Sequence, residues 1–267
     1  MKYLYVFPHP DDESFGPAAA MYQQLEQGHE VHLLTLTRGG ATSQRHKLSL
    51  SVEQMGDVRY KEMLAVKETI GLSSMEVLDL PDSGLKEMDP REIEAVVRQH
   101  IEKIRPDILV SYPVHGISGF HDHLVMHAVI KRLYLQMKDE GAAYLKRLAF
   151  FTVKNEEGPA VQTMGIRLKQ SMPSEIDCVL SLREQDIEIL KKALDCYETY
   201  QEVIKRIGVV ELIGDKIYYE IWGEKHDPPL SDLASHLPRQ QKMVKDNNRM
   251  PDNLPYAARN TDKQKHK

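Results

Sequence analysis

Six consecutive residues, Pro8-His9-Pro10-Asp11-Asp12-Glu13, put one imidazole and three carboxylates directly after the apolar run Tyr3-Leu4-Tyr5-Val6-Phe7. A histidine and a carboxylate beside a second, free carboxylate are the parts of a hydrolytic metal site. They supply ligands for a divalent cation such as Zn2+ and a base for water. A zinc site of this kind needs about three protein ligands and one open position. His9 and Asp12 can supply two of them. The third is sought in Gly119-Phe120-His121-Asp122-His123, which follows another apolar run, Ile108-Leu109-Val110. Either cluster alone also reads as a solvated turn with a capping aspartate, or as a polar helix start. Their joint occurrence after two strands of one sheet argues for a shared site.

The elements that must position these clusters follow from periodicity. Short apolar runs at 2–7, 31–37, 75–80 and 107–112 read as buried strands. Helices are predicted between them at 18–25, 55–70, 90–104 and about 122–138. Gly28 and Gly71 are candidate helix stops, and Pro90 lies near a helix start. This alternation predicts an α/β fold, a Rossmann-like and mostly parallel sheet with helices on both faces. Ligands of such sheets bind beyond the carboxyl ends of the strands, where both clusters fall. The polar stretch 38–54 reads as a loop over the site. In the second half, strands are predicted at 148–153, 176–180 and 216–222, with one long helix over 184–207. Residues 1–226 then form one domain. From Asp227 to Lys267 the chain is polar and reads as a tail, partly disordered or draped on the surface.

Bulk properties narrow the function. The chain has 267 residues, 41% hydrophobic and 28% charged, as in a globular protein. A net charge of -5 and a pI near 6.2 give no sign of a nucleic-acid surface. No apolar run approaches the length of a membrane span, and the N-terminus does not read as a secretory signal. A cytoplasmic location is the expectation, and a homo-oligomer is left open. Cys178 and Cys196 form no CxxC pair, so they read as small core residues. Tyr197 and Tyr200 read as packing residues of the long helix. The first strand is followed by Pro-His-Pro-Asp-Asp and not by a glycine-rich turn, so a dinucleotide cradle is absent.

The chain resembles the LmbE-like, or PIG-L-type, zinc-dependent de-N-acetylase family. The matching residues are Pro8-His9-Pro10-Asp11-Asp12-Glu13, Thr37-Arg38-Gly39, Arg59 with Glu62, Asp82-Ser83-Gly84, and Asp122-His123, in the family's order. The resemblance covers roughly the first half. It implies a Rossmann-like fold and hydrolysis of the acetamide of N-acetylglucosamine conjugates. It makes His9, Asp12 and His123 the zinc ligands, although their type also suits Fe2+. It makes Asp11 the general base, and it puts Arg59 and Asp82 where the family binds sugar. Arg38 is a candidate for steering an anionic substrate group. The family's second motif is usually His-Pro-Asp-His, whose first histidine stabilises the oxyanion. Phe120 stands there in this chain. His121 is the first choice as replacement, ahead of His115 and Tyr112.

The expected function is therefore zinc-dependent removal of an acetyl group from an N-acetylated small molecule. Hydrolysis of another amide or an ester is the alternative that Phe120 favours. A non-catalytic sugar- or metabolite-binding protein is the alternative of another class.

Overall fold

The computed structural model describes residues 1–155, 162–163 and 166–238. The elements run β1 (Lys2–Phe7), α1 (Pro17–Glu26), β2 (Glu30–Thr37), α2 (Gln44–Lys47), α3 (Val52–Ile70), β3 (Ser74–Leu80), α4 (Pro90–Ile104), β4 (Ile108–Ser111), α5 (His121–Asp139) and β5 (Arg147–Thr152). Then follow β6 (Gln162–Thr163), β7 (Ile166–Arg167), β8 (Cys178–Ser181), α6 (Glu184–Asp195), α7 (Gln201–Ile207), α8 (Val209–Ile213) and β9 (Lys216–Ile221).

Seven strands form one sheet in the order β3-β2-β1-β4-β5-β9-β8. The first five are parallel, and β9 and β8 are added antiparallel. This is the expected mostly parallel α/β sheet. Strand β1 shows how it is covered. Tyr3, Tyr5 and Phe7 face a core with α1, α3 and α6, whereas Leu4 and Val6 face the core of α4 and α5. The period of two places successive side chains on opposite faces, so burial on both faces makes the strand apolar throughout.

Helix boundaries have local causes. Ser51 caps α3 by a reciprocal capping box with Gln54, and Gly71 closes it in the left-handed conformation. Asp89 caps α4, with Pro90 in its first turn.

Strand order reverses between β1 and β4. The loops leaving these two strands diverge there and open a crevice at their carboxyl ends. His9 and Asp12 lie on one loop, and the other leads into α5 with His123 at its third position.

Two expectations for the second half and one for the first need correction. The helix predicted over 184–207 is broken: α6 ends at Asp195, a 3-10 turn spans Glu198–Tyr200, and α7 follows. A 3-10 turn keeps the i, i+3 spacing, so the apolar period runs on through the break and hides it. Residues 227–237 are not a loose tail. Leu230 and Leu233 are buried, Leu230 bridges Cys178, and the Arg147 guanidinium donates to the carbonyls of Leu233 and Ser235. Two leucines anchor an otherwise polar segment, so the compact unit runs from Met1 to Leu237. The rest of the predicted tail, 239–267, lies outside the described residues. The polar loop 38–54 contains the short helix α2 and the first turn of α3. No helix among the described residues is long and apolar enough to cross a membrane.

Candidate metal centre and active site

His9, Asp12 and His123 converge, with one donor atom from each lying within 4.8 Å of the others. The His9 Nδ1 and His123 Nε2 atoms are 3.3 Å apart. They lie 3.6 Å and 3.4 Å from the two oxygens of Asp12. Each group is oriented from behind. The His123 Nδ1–H donates to the Gly116 carbonyl at 2.9 Å, which leaves Nε2 facing the cluster. The His9 Nε2–H donates to the Asp122 carboxylate at 3.0 Å, which leaves Nδ1 facing inward. Asp12 accepts from the Tyr112 hydroxyl at 2.7 Å and from the His9 N–H at 2.9 Å. Partners of this kind fix tautomer and direction in metal sites. The Tyr112 ring also stacks on His123 at 4.2 Å. Gly116 must be glycine for this approach: its φ is +62°, and a Cβ there would come within 2.8 Å of the His123 Cβ.

The donor set of two imidazole nitrogens and a carboxylate fits a divalent transition metal. The electrostatics fit as well. Asp11, Asp12, Asp82 and Asp122 gather around His9, with Arg59 as the buried guanidinium beside them. Burial pushes the His9 imidazole down. The Asp122 hydrogen bond and the Asp12, Asp82 and Asp11 carboxylates outweigh it and carry it up to about 9. A cation held there would balance this excess of negative charge.

Asp11 sits beside this cluster with a backbone φ of +85°. A side chain with a Cβ pays about 1–2 kcal/mol for that conformation. Its Oδ2 accepts from the Arg59 guanidinium at 2.6 Å. Burial pushes its carboxyl up to about 6, against the downward pull of Arg59. Arg59 is itself buried. It also donates to the Pro10 carbonyl at 2.8 Å and lies over the Tyr200 ring at 4.0 Å. It is spent on Asp11 and the loop. Glu62, three residues further along α3, turns to Thr199, accepting from its N–H at 2.8 Å and its hydroxyl at 2.9 Å. Asp82 accepts from the Ala41 N–H at 2.6 Å and lies 3.4 Å from His9 Nε2.

Two other candidates stand apart. Arg38 pairs with Asp57 at 2.7 Å on the outer side of α3. His121 is exposed and has no hydrogen-bond partner among the described residues. Successive helical side chains diverge by about 100°, so the inward directions go to Asp122 and His123, both buried. His115 does not replace it, because it bonds Ser171 at 3.2 Å. Tyr112 is committed to Asp12. Phe120 is half exposed and meets the His123 ring edge-on at 5.6 Å. His127 donates to the Tyr112 carbonyl at 3.0 Å and supports β4 from below.

Sequence reasoning missed three contributors. Asp122 lies in a recognised motif but was given no role. The sequence pattern predicts helix packing for Tyr197 and Tyr200. Tyr197 is carried in by the end of α6 and Tyr200 by the break that follows it, and periodicity does not reveal the break.

Comparison with known proteins bears on the family of the chain. Residues 4–134 match the family model described as PIG-L: GlcNAc-PI de-N-acetylase. The 1D-myo-inositol 2-acetamido-2-deoxy-alpha-D-glucopyranoside deacetylase of Kineococcus radiotolerans is 29% identical over 166 residues, covering 52% of this chain and 46% of that enzyme. The chain thus spans about half the length of that curated relative. The probable N-acetyl-alpha-D-glucosaminyl L-malate deacetylase 2 of Bacillus subtilis is 25% identical, covering 83% of this chain and 93% of that one. Among solved structures, the 4-carboxy-2-hydroxymuconate hydratase GalB of Pseudomonas putida shares the fold, with a TM-score of 0.66 and 16% identity over 85% of this chain and 98% of that one. Fold alone does not fix chemistry, but the motifs of the first half do fix kinship. Residues 4–134, with their His-Pro-Asp-Asp and Asp-His motifs, make this chain a member of the PIG-L, or LmbE-like, de-N-acetylase family.

Proposed function

We propose that the chain is a metal-dependent de-N-acetylase that frees an amine from an N-acetylated small molecule, an N-acetylglucosamine conjugate by preference. One observation carries this reading. His9, Asp12 and His123 converge at the point where strand order reverses, with the Asp11 carboxylate beside them. His9, Asp12 and His123 would hold a divalent cation, Zn2+ in the first place and Fe2+ in the second. Such a cation supplies Lewis acidity for the amide carbonyl and for water.

The chain's own groups supply the rest. The Asp11 carboxylate takes a proton from the attacking water as its oxygen adds to the acetyl carbon. It returns that proton to the nitrogen as the C–N bond breaks, giving acetate and a free amine. Arg59 fixes the direction of the carboxylate. Asp82, 3.4 Å from His9 Nε2, would accept from sugar hydroxyls. The setting we propose is cytoplasmic, consistent with the two free cysteines.

A second reading is hydrolysis of a different amide or an ester. Phe120 favours it, since an apolar ring stands where the family has a donor and His121 faces outward. A panel of N-acetylglucosamine conjugates, simple acetamides and acetate esters, offered to the metal-loaded protein, separates the two. Free amine and acetate in equal amounts from the sugar conjugates support the proposal. Turnover of esters alone supports the second reading. In the same assay Asp11→Asn keeps its metal and loses at least about a hundredfold in kcat. Near-normal turnover would remove Asp11 from the role of base.

A further inference from the structure

The base in this site stands on a backbone conformation that its own side chain disfavours, and a residue far along the chain holds it there. The Asp11 carbonyl is tied by the N–H groups of Ser14 and Phe15, at 2.8 and 2.9 Å. Its carboxylate is tied by Arg59. Its N–H, the remaining backbone handle, donates to the Tyr197 hydroxyl at 2.8 Å. That hydroxyl donates in turn to Glu13 Oε1 at 2.6 Å. Tyr197 and Glu13 are both 0% exposed, so water cannot stand in for either.

We propose that Tyr197 is the positioning residue for the base: its hydroxyl, delivered by the end of α6, holds Asp11 in the left-handed conformation that aims the carboxylate. This rests on the reading of Asp11 as the base.

The local architecture supports a dedicated tether. Tyr197 is carried in by the end of α6, since Cys196 is still helical (φ −64°, ψ −22°). The chain breaks at the ψ of Tyr197 itself (70°), and Glu62 on α3 grips Thr199 in the turn that follows. Arg59 lies on the same helix and reaches Asp11 from the opposite side, packed over Tyr200 and, at 5.7 Å, over Tyr197. A closed circuit results, from Asp11 to Arg59, along α3 to Glu62, to Thr199, and back through Tyr197. One arm of it lies beyond residue 134, outside the segment that matches the family model. The hydroxyl serves as acceptor for one partner and donor for the other, so phenylalanine satisfies neither.

Tyr197→Phe tests this, because it keeps the ring against Arg59 and removes only the hydroxyl. The assay uses p-nitrophenyl N-acetylglucosaminide, scored by released amine, together with metal analysis and a crystal structure of the variant. The expected result is an unchanged metal content and a KM within about twofold. The same variant should show a kcat lower by on the order of ten- to a hundredfold, as misplacement of a reacting group produces. In the crystal, Asp11 leaves the positive-φ region or its carboxylate leaves Arg59. A role in packing alone would lower stability without splitting kcat from KM. The proposal is overturned if kcat stays within twofold of the parent, or if Asp11 keeps both its φ and its Arg59 contact. A metal-loaded parent that hydrolyses no member of the panel defeats the deacetylase reading instead, and the crystal arm still decides the tether. Should Tyr197→Phe not fold, Thr199→Ala loosens the turn from outside. Its kcat must then fall with KM unchanged, and an unaltered kcat overturns the proposal.

Discussion

Up to Tyr134 the chain sets every candidate metal donor within a few residues of a helix start or a strand end. Beyond Arg147, no residue among those described adds a donor to the cluster. What the second half sends to the site is Tyr197, Tyr200 and Thr199, which bind Asp11, Arg59 and Glu62. The first half carries groups that would touch metal and substrate. The second half carries groups that touch those groups. Ligand chemistry needs few residue types at fixed offsets from a strand, whereas support can come from any element that packs near enough.

His123→Ala strikes the first half directly and should have the largest effect. With one of three donors gone, metal content after dialysis falls toward zero and turnover with it. The loss should exceed the roughly 10–100-fold that removal of a supporting group costs. A variant that retains a full equivalent of metal would break the contrast, because a donor from elsewhere would then have to exist.

Arg147→Ala strikes the second half at its structural centre. Arg147 is buried, pairs with Glu224, and holds the carbonyls of Leu233 and Ser235. Removing it should cost about 3 kcal/mol, read as a fall in Tm of roughly 6–12 °C. Below the transition, metal content should be unchanged. Metal loss from the folded variant would mean that the two halves are coupled more tightly than their contacts imply.

His121→Ala should have the smallest effect. The side chain is exposed at the first position of α5, so kcat should stay within about twofold, the range of surface substitutions. A tenfold drop would bring His121 into the site and return the oxyanion role to it.

The parallel sheet and the donor set were legible because each rests on local pattern. Buried parallel strands are apolar throughout, so 2–7 and 31–37 stand out. His9, Asp12 and His123 lie in short motifs placed by those strands. Legibility fails where an outcome depends on direction within a known motif. His121 and Asp122 are neighbours, yet Asp122 turns inward and His121 outward, and only the helical phase of α5 decides this. It fails again between 195 and 201, where a 3-10 turn preserves the apolar period while redirecting Tyr200. At Leu230 and Leu233, two apolar anchors were outweighed by the polar composition around them.

Strand order also imposes an order in time. During synthesis the three donors are available once residue 123 has emerged, whereas Tyr197 follows about seventy residues later, roughly 4–15 s at usual elongation rates. β9, made later still, lies between β5 and β8 and is the strand that joins β8 to the sheet. A nascent chain can therefore gather its metal donors before the residue that tethers Asp11 exists. The last strand of the described sheet, and not the motif that names the family, sets the moment at which that sheet becomes complete.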